Sequence, residues 1–219
     1  YFLLGAFATG FLLYGIAFLY GATGSLHLKD IASYIASKKL LDNPMLLMSL
    51  AFLTIGFGFK IASVPFHMWT PDVYEGAPTS ITAFMATGVK AAGFSALIRV
   101  FFTALPEFRP DWTSIMWLIA VATMTVGNII AISQNNIKRM LAYSSIAHAG
   151  YILVAFVAGN KSGTSGILFY LMAYAFMNLG AFTCVILLGK KGEENLLITD
   201  YAGVGFKYPL LAASMTIFL

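Results

Sequence analysis

Three ionisable side chains lie inside long apolar stretches of the sequence, where a charge is costly. They are Lys60, Lys90 and His148, whereas all nine acidic residues lie in the polar segments between apolar stretches. A lysine at the centre of a bilayer costs at least about 2.5–3.5 kcal/mol on insertion scales. We therefore expect each group to face a protein interior, water or a polar partner. A buried base whose partner changes can bind and release a proton.

The positions of these groups predict a similar depth in a membrane. Lys60 precedes Thr70 by ten residues, which is roughly 15 Å of helix. Lys90 and His148 each lie eleven residues after the start of an apolar run, which is roughly 16 Å. Because a hydrocarbon core is about 30 Å thick, all three should lie near its midplane. Three titratable groups at one depth would form a row along the membrane, not a pore across it.

A proline follows Lys60 within the same apolar run. Pro65 cannot donate a hydrogen bond to the carbonyl of Ile61, and its ring would clash there, so we predict a helix broken around Lys60–Pro65. Broken helices at membrane depth are tolerated where they line a cavity; the alternative is a packing kink. The polar turn that follows carries Asp72 and Glu75, which would order the turn or serve proton uptake.

The neighbours of the other two groups support a role in proton transfer. Small residues share the helical face of Lys90 and would allow close helix approach or space for water; they are Ala83, Ala86, Thr87 and Gly93. A polar track shares the face of His148, consisting of Ser144, Ser145 and Tyr151. For His148 the alternative is a hydrogen-bonded core residue.

Composition assigns the chain to the polytopic membrane proteins. Of its 219 residues 59% are hydrophobic and only 10% charged, whereas soluble domains carry about 25% charged residues. The net charge of +4 is spread over loops and does not suggest nucleic acid. Cys184 is the only cysteine, which excludes an internal disulfide and a cysteine-rich cluster site. No dinucleotide, phosphate-loop, metal-ligand or haem motif is present, so we expect no redox cofactor in this chain.

The fold class expected is all-α, in a single transmembrane helical domain. The apolar runs favour helices over a barrel, whose strands would alternate over about ten residues. The chain starts and stops within apolar runs, so we expect a fragment with six complete helices and the start of a seventh. The predicted spans are 1–24, 45–69, 79–105, 112–133, 137–158, 164–189 and 208–219.

Three motifs resemble one family of membrane subunits. They read FKIASVPFHMWTPDVYEGAP around Lys60, ATGVKAAGF around Lys90, and NIKRMLAYSSIAHAGY around His148. Together they resemble the N-type antiporter-like subunits of proton-pumping NADH:quinone oxidoreductase, respiratory complex I. The resemblance covers nearly the whole chain. The first motif is long and specific, and the last is shared by all antiporter-like subunits.

The resemblance implies a fold of two inverted five-helix repeats and a proton relay. Lys60 matches the family's lysine on a broken helix, Lys90 its central lysine, and His148 a relay position. The family also uses a glutamate on an earlier helix and a lysine on a later one, which would precede Tyr1 and follow Leu219. FMN, iron–sulfur clusters and quinone would belong to partner subunits. The setting implied is a hetero-oligomer in a bilayer, the bacterial plasma (inner) membrane.

Two other functions fit the same residues. The chain could belong to a multi-component cation/proton antiporter without redox activity, although the wording of the first motif favours the oxidoreductase. It could also be a structural membrane scaffold in which the lysines are fixed charges. A lysine that changes protonation during turnover would exclude the scaffold.

Overall fold

A computed structural model describes residues 1–38, 40–189 and 195–219. The helices are α1 Phe2–Thr23, α2 Leu28–Lys38, α3 Pro44–Ile61, α4 Trp69–Gly76, α5 Thr79–Phe84, α6 Lys90–Ala104, α7 Arg109–Ile132, α8 Ile137–Ala158, α9 Lys161–Leu188, α10 Val204–Lys207 and α11 Pro209–Phe218. A π-helical turn, Met85–Val89, joins α5 to α6 without a break. A 3₁₀ turn, Ile198–Tyr201, lies between α9 and α10.

Six helices of the described part are long and apolar enough to cross a membrane. They are α1, α3, the continuous α5–α6, α7, α8 and α9. Large apolar side chains on their outer faces, such as Phe7 and Leu118, are exposed, as expected where lipid or further helices cover them. The shorter α11 is also apolar.

The second apolar run is broken, as predicted, but the break begins earlier than Pro65. Helix α3 ends at Ile61 because Ala62 adopts a left-handed conformation with φ 60°, and the irregular segment extends to Met68. The freed carbonyls are satisfied locally, since Ser63 N donates to Gly58 O at 2.9 Å and Trp69 Nε1 to Phe59 O at 3.0 Å. The predicted effect of Pro65 on the carbonyl of Ile61 therefore does not arise.

Two segments predicted as loop or turn contain helices. In the segment 25–43, α2 forms because Ile31 and Ile35, one turn apart, bury an apolar stripe. In the segment 70–78, α4 can form despite Pro71, because a proline is tolerated in the first turn of a helix. Asp72 in that turn also favours the helix N-terminus.

Close packing of α7 on α8 fixes the position of α8, the helix that carries His148. A Cβ added to Gly127 would lie 2.7 Å from Ala147 N, and one added to Gly150 would lie 2.8 Å from Met124 N. The two glycines therefore allow the backbones to approach closely, as small residues do in membrane bundles. This contact holds the middle of α8 beside α7.

The predicted polar loop 190–207 is only partly described. Residues 190–194 lie outside the described ranges. The part that follows contacts the start of α8, because Ile137 N donates to Leu196 O at 2.8 Å and Ile198 N donates to Asn135 O at 2.9 Å.

Candidate functional site

Lys90 forms the centre of a buried polar network. It lies at the junction of the π-helical turn and α6, and π-turns inside helices are frequent at functional sites. Its side chain is only 2% exposed. The ammonium donates to the carbonyl and the hydroxyl of Ser145 on α8, both at 2.5 Å. The ring centroid of Tyr174 on α9 lies 5.5 Å from Nζ, so α8 and α9 both contact this charge.

Ser145 extends the network from α8 to α9. Its hydroxyl lies 2.7 Å from the hydroxyl of Tyr174, and either oxygen can be the donor. Because Lys90 donates to Ser145 and Ser145 bonds Tyr174, three side chains on three helices form one continuous chain of hydrogen bonds. Such a chain can rearrange its hydrogens without moving a helix.

His148 lies one turn further along α8, beside the same network. Its Nδ1 is 2.6 Å from the hydroxyl of Tyr170 on α9. Its ring centroid is 5.2 Å from that of Tyr174 and 5.4 Å from that of Tyr151. Tyr174 therefore contacts both Lys90 and His148 and connects the two predicted groups.

The short helix α4 contributes a further hydroxyl. Tyr74 is 1% exposed, and its phenol lies beside the Ser145 side chain. Burial raises the pKa of Tyr74, and a hydrogen bond from the Ser145 side chain opposes this rise. The phenol stays neutral at physiological pH and can both donate and accept.

Lys60 lies at the end of α3 and is half-buried. Its predicted depth was counted along a continuous helix to Thr70, and this premise is wrong because α3 ends at Ile61. Its carbonyl carbon and oxygen lie 3.7 Å from a Cβ added to Gly93, one turn along α6 from Lys90. Within the described ranges the Lys60 ammonium makes no hydrogen bond or ion pair. The acid predicted as its partner would lie before Tyr1.

Asp72 and Glu75 both bind one arginine. Nη1 of Arg139 lies 2.7 Å from Asp72 Oδ1 and 2.7 Å from Glu75 Oε2. The other oxygen of Glu75 accepts from Asn136 Nδ2 at 2.9 Å. The two acids thus connect α4 to the start of α8.

Lys138 and Arg139 have the sequence position of headgroup anchors, at the end of an apolar helix, but in the structure both bind protein groups. Lys138 is 1% exposed, and its ammonium donates to Ala77 O at 2.7 Å. Arg139 is directed towards the acids of α4 rather than towards lipid. Because α4 packs against the start of α8, both cations bind groups of the segment 72–77 and not lipid headgroups.

The sequence singled out Lys90 and His148 but not the two tyrosines of α9 that lie beside them. Tyr170 and Tyr174 lie in an apolar helix, where an aromatic residue resembles ordinary core. Their spacing of four residues places them on one face, and this is the signal that could have identified them. Ser145 was recognised only as a neighbour of His148.

The site has bases and hydroxyls but no arrangement for a metal. Across residues 1–38, 40–189 and 195–219, no three His, Cys, Asp or Glu side chains are grouped closely enough to hold an ion. The chemistry available to the network is proton binding and transfer.

Comparison with known proteins confirms the resemblance and the fold class. The family described as NADH:quinone oxidoreductase/Mrp antiporter, transmembrane, matches residues 1–219. NADH-quinone oxidoreductase subunit N of Trichlorobacter lovleyi is 59% identical over the whole chain, which covers 45% of that protein. The subunit N of Mycobacterium tuberculosis is 48% identical, with 42% of its length covered. The chain therefore spans about half the length of the curated relatives it matches.

Three solved structures share the fold over the whole chain. Respiratory complex I from Thermus thermophilus with bound aureothin gives a TM-score of 0.80 at 41% identity, with 46% of that chain covered. The archaeal membrane-bound sulfane sulfur reductase gives 0.90 at 30% identity, with 44% covered. The Mrp complex from Dietzia gives 0.87 at 20% identity, with 40% covered, and shows the fold alone.

These matches also confirm the prediction of an integral membrane protein, and the curated relatives named above are bacterial. The family model matches all 219 residues, and the six candidate membrane spans fit a membrane family. Both findings agree with the family indicated by the motifs around Lys60, Lys90 and His148. The chain belongs to the NADH:quinone oxidoreductase/Mrp antiporter transmembrane family.

Proposed function

We propose that this chain is the proton-translocating part of a membrane subunit of NADH:quinone oxidoreductase. The observation that carries the proposal is the buried Lys90 ammonium, which is held by Ser145. Ser145 in turn bonds Tyr174, whose ring packs beside that of His148. A charge that costs several kcal/mol to bury is retained where hydroxyls on two neighbouring helices can exchange hydrogens with it. Electron transfer takes place in other subunits, which hold the flavin, the iron–sulfur clusters and the quinone.

In this mechanism Lys60 and Lys90 exchange a proton when the partner of Lys60 changes. The Lys60 backbone packs against Gly93, which lies one turn along α6 from Lys90. The two lysines therefore belong to one region of the bundle. A proton leaving Lys90 passes to the hydroxyls of Ser145 and Tyr174 and on towards His148. A further half of the relay, with the acid before Tyr1 and the lysine after Leu219, completes the path.

The test replaces each lysine by methionine in the assembled complex. Lys60→Met and Lys90→Met should each lower the number of protons translocated per quinone reduced in sealed vesicles, because methionine fills the space but binds no proton. The amount of assembled complex, measured by its flavin content, is the control. Undiminished proton translocation in both variants would contradict the proposal.

The antiporter alternative shares the family and differs in its partners. The subunit N relatives, at 48–59% identity, favour the oxidoreductase over the Mrp complex at 20%. Purification of the full-length protein from its native membrane decides between them. Co-purification with flavin and iron–sulfur subunits is expected, and a redox-free assembly would support the antiporter.

A further inference from the structure

Helix α4 has two faces that contact different parts of α8. On one face, Asp72 and Glu75 both bind the guanidinium of Arg139, each at 2.7 Å. On the other face, Tyr74 is buried in one apolar cluster with Leu141 and Ile146 of α8, the second of which directly follows Ser145. It packs edge-on against the ring of Trp69, with centroids 6.2 Å apart. One short helix thus links an ion-pair cluster to the residue that binds Lys90.

The start of α8 depends on α4 for its electrostatic balance. Asn136 caps the helix, with its side-chain oxygen accepting from the backbone N–H groups of Lys138 and Arg139 at 2.9 and 3.2 Å. Cations are unfavourable at a helix N-terminus, where the macrodipole is positive. The carboxylates of Asp72 and Glu75 offset this charge. Separation of α4 from α8 would leave Arg139 beside a positive helix end without these acids.

Distance along α8 connects the cluster to the proposed relay. Ser145 follows Arg139 by six residues, which is roughly 9 Å of helix, or less than two turns. Tyr74 lies between Asp72 and Glu75 in the chain, so any shift of these acids relative to Arg139 also moves Tyr74 relative to Ser145. The position of the Ser145 hydroxyl on the Lys90 ammonium is therefore coupled to the ion-pair cluster.

We propose that Arg139 is a positioning residue which, by holding Asp72 and Glu75, keeps Tyr74 against Ser145 and so keeps Ser145 on Lys90. This inference rests on the proposed function. It gives Asp72 and Glu75 the ordering role, here that of holding α4 on α8, rather than that of proton uptake. Arg139 acts through Tyr74 and does not itself carry the proton.

The test measures protons translocated per NADH oxidised by the complete complex in sealed vesicles. Arg139→Ala should lower this ratio severalfold, and Arg139→Lys should recover most of the loss because the ammonium keeps the charge beside both acids. Tyr74→Phe, which retains the ring but removes the hydroxyl, should also lower the ratio. The double variant Arg139→Ala/Tyr74→Phe should be no lower than the worse single variant, because both changes disrupt the same contact.

Arg109→Ala is the matched control. Arg109 is likewise an arginine at a helix start, and it donates to the carbonyl of Ala158 at 3.0 Å. No carboxylate within the described ranges pairs with it. Its loss should leave the ratio at the level of the unmodified complex. If Arg139→Ala reduces the amount of assembled complex, the same ratio is measured in Asp72→Asn/Glu75→Gln, which removes both acids and should show the same loss.

Two results would overturn the inference. One is an unchanged ratio in Arg139→Ala or, where that variant assembles poorly, in the double acid variant. The other is a ratio in Arg139→Ala/Tyr74→Phe that is lowered by the product of the two single-variant factors, as expected for independent sites. Lys90→Met separates this failure from that of the proposed function. If Lys90→Met keeps the full ratio, the proposed function fails; if only Lys90→Met loses it, the inference about Arg139 alone fails.

Discussion

At the scale of single residues, the partners of Lys90 are neutral oxygens rather than a carboxylate. Both oxygens of Ser145 accept from the ammonium, and the tyrosine ring beside it adds a cation–π contact. A carboxylate would hold the proton more firmly on the lysine. Neutral partners satisfy the charge and hold the proton less firmly, as the proposed relay requires.

Replacement of Tyr174 by phenylalanine tests the bond beyond Ser145. The change keeps the ring beside Lys90 and His148 but removes the hydroxyl that bonds Ser145. A hydrogen bond is worth about 1 kcal/mol, which is roughly fivefold in a rate. We expect proton translocation to fall by about that factor while assembly is retained.

Phe182→Leu is the matched control for Tyr174→Phe. It also alters a buried aromatic residue of α9, but it removes no polar group. Translocation in Tyr174→Phe equal to that in this control would show that the hydroxyl has no part in the relay.

The sequence revealed the charged members of the network but not the neutral ones. A lysine in an apolar helix is conspicuous because its burial is costly. A tyrosine in the same setting is ordinary, since its ring suits the core and its hydroxyl finds a partner only through tertiary packing. Lys90 and His148 could therefore be singled out from the sequence, whereas the contacts of Tyr174 depend on the position of α9.

At the scale of elements, the break after α3 is made by a residue that sequence reasoning did not single out. Ala62 has φ 60°, a region that costs an L-residue roughly 1–2 kcal/mol. Pro65 signalled a break in this stretch, but the strained position lies three residues earlier. An alanine carries no local signal for this conformation, so its location could not be predicted.

The stability of variants at Ala62 should reflect the backbone strain at this position. Ala62→Val should lower the free energy of unfolding by about 1–3 kcal/mol, because a β-branched residue is strained at positive φ and this site is fully packed. Ala62→Gly should change it by less than about 1 kcal/mol, since relief of strain offsets the lost methyl group. Denaturation midpoints of the purified full-length protein would check this order. A valine variant as stable as the glycine variant would contradict it.

For the acids of α4, the sequence likewise indicated the residues but not their partner. Asp72 and Glu75 could be recognised as turn residues, because they follow a proline-interrupted apolar run. Their partner Arg139 lies more than sixty residues away in the sequence, next to Lys138, and two cations at the end of an apolar helix resemble headgroup anchors. Only the packing of α4 on α8 distinguishes an anchor from an ion-pair partner.

At the scale of the whole molecule, the apolar outer surface fits a protein that is covered on all sides by lipid or further helices. Helix α7 is an example, with Trp117 and Leu118 exposed and Met116 and Ala120 buried. Composition alone predicted this class. The arrangement of the helices could not be predicted from composition, because most of them are apolar all round and show no clear inward face.

A charge on the outer face of α7 should oppose membrane insertion. Leu118→Arg should cost about 2.5–3.5 kcal/mol of apparent insertion free energy if the site lies near the helix centre, whereas Leu118→Ala should cost much less. A glycosylation-based insertion assay on the isolated α7 segment measures this difference. Equal insertion of the two variants would place Leu118 outside the hydrocarbon region.

The central claim is that Lys90 carries a proton instead of serving as a fixed charge. Replacement of Lys90 by arginine separates these roles, because arginine keeps the positive charge but is not deprotonated in proteins. The measurement is protons translocated per quinone reduced by the assembled complex in sealed vesicles, normalised to flavin content. The relay predicts that Lys90→Arg loses translocation to the same extent as Lys90→Met. Retention of translocation in Lys90→Arg, with its loss in Lys90→Met, would contradict the relay and identify Lys90 as a fixed charge.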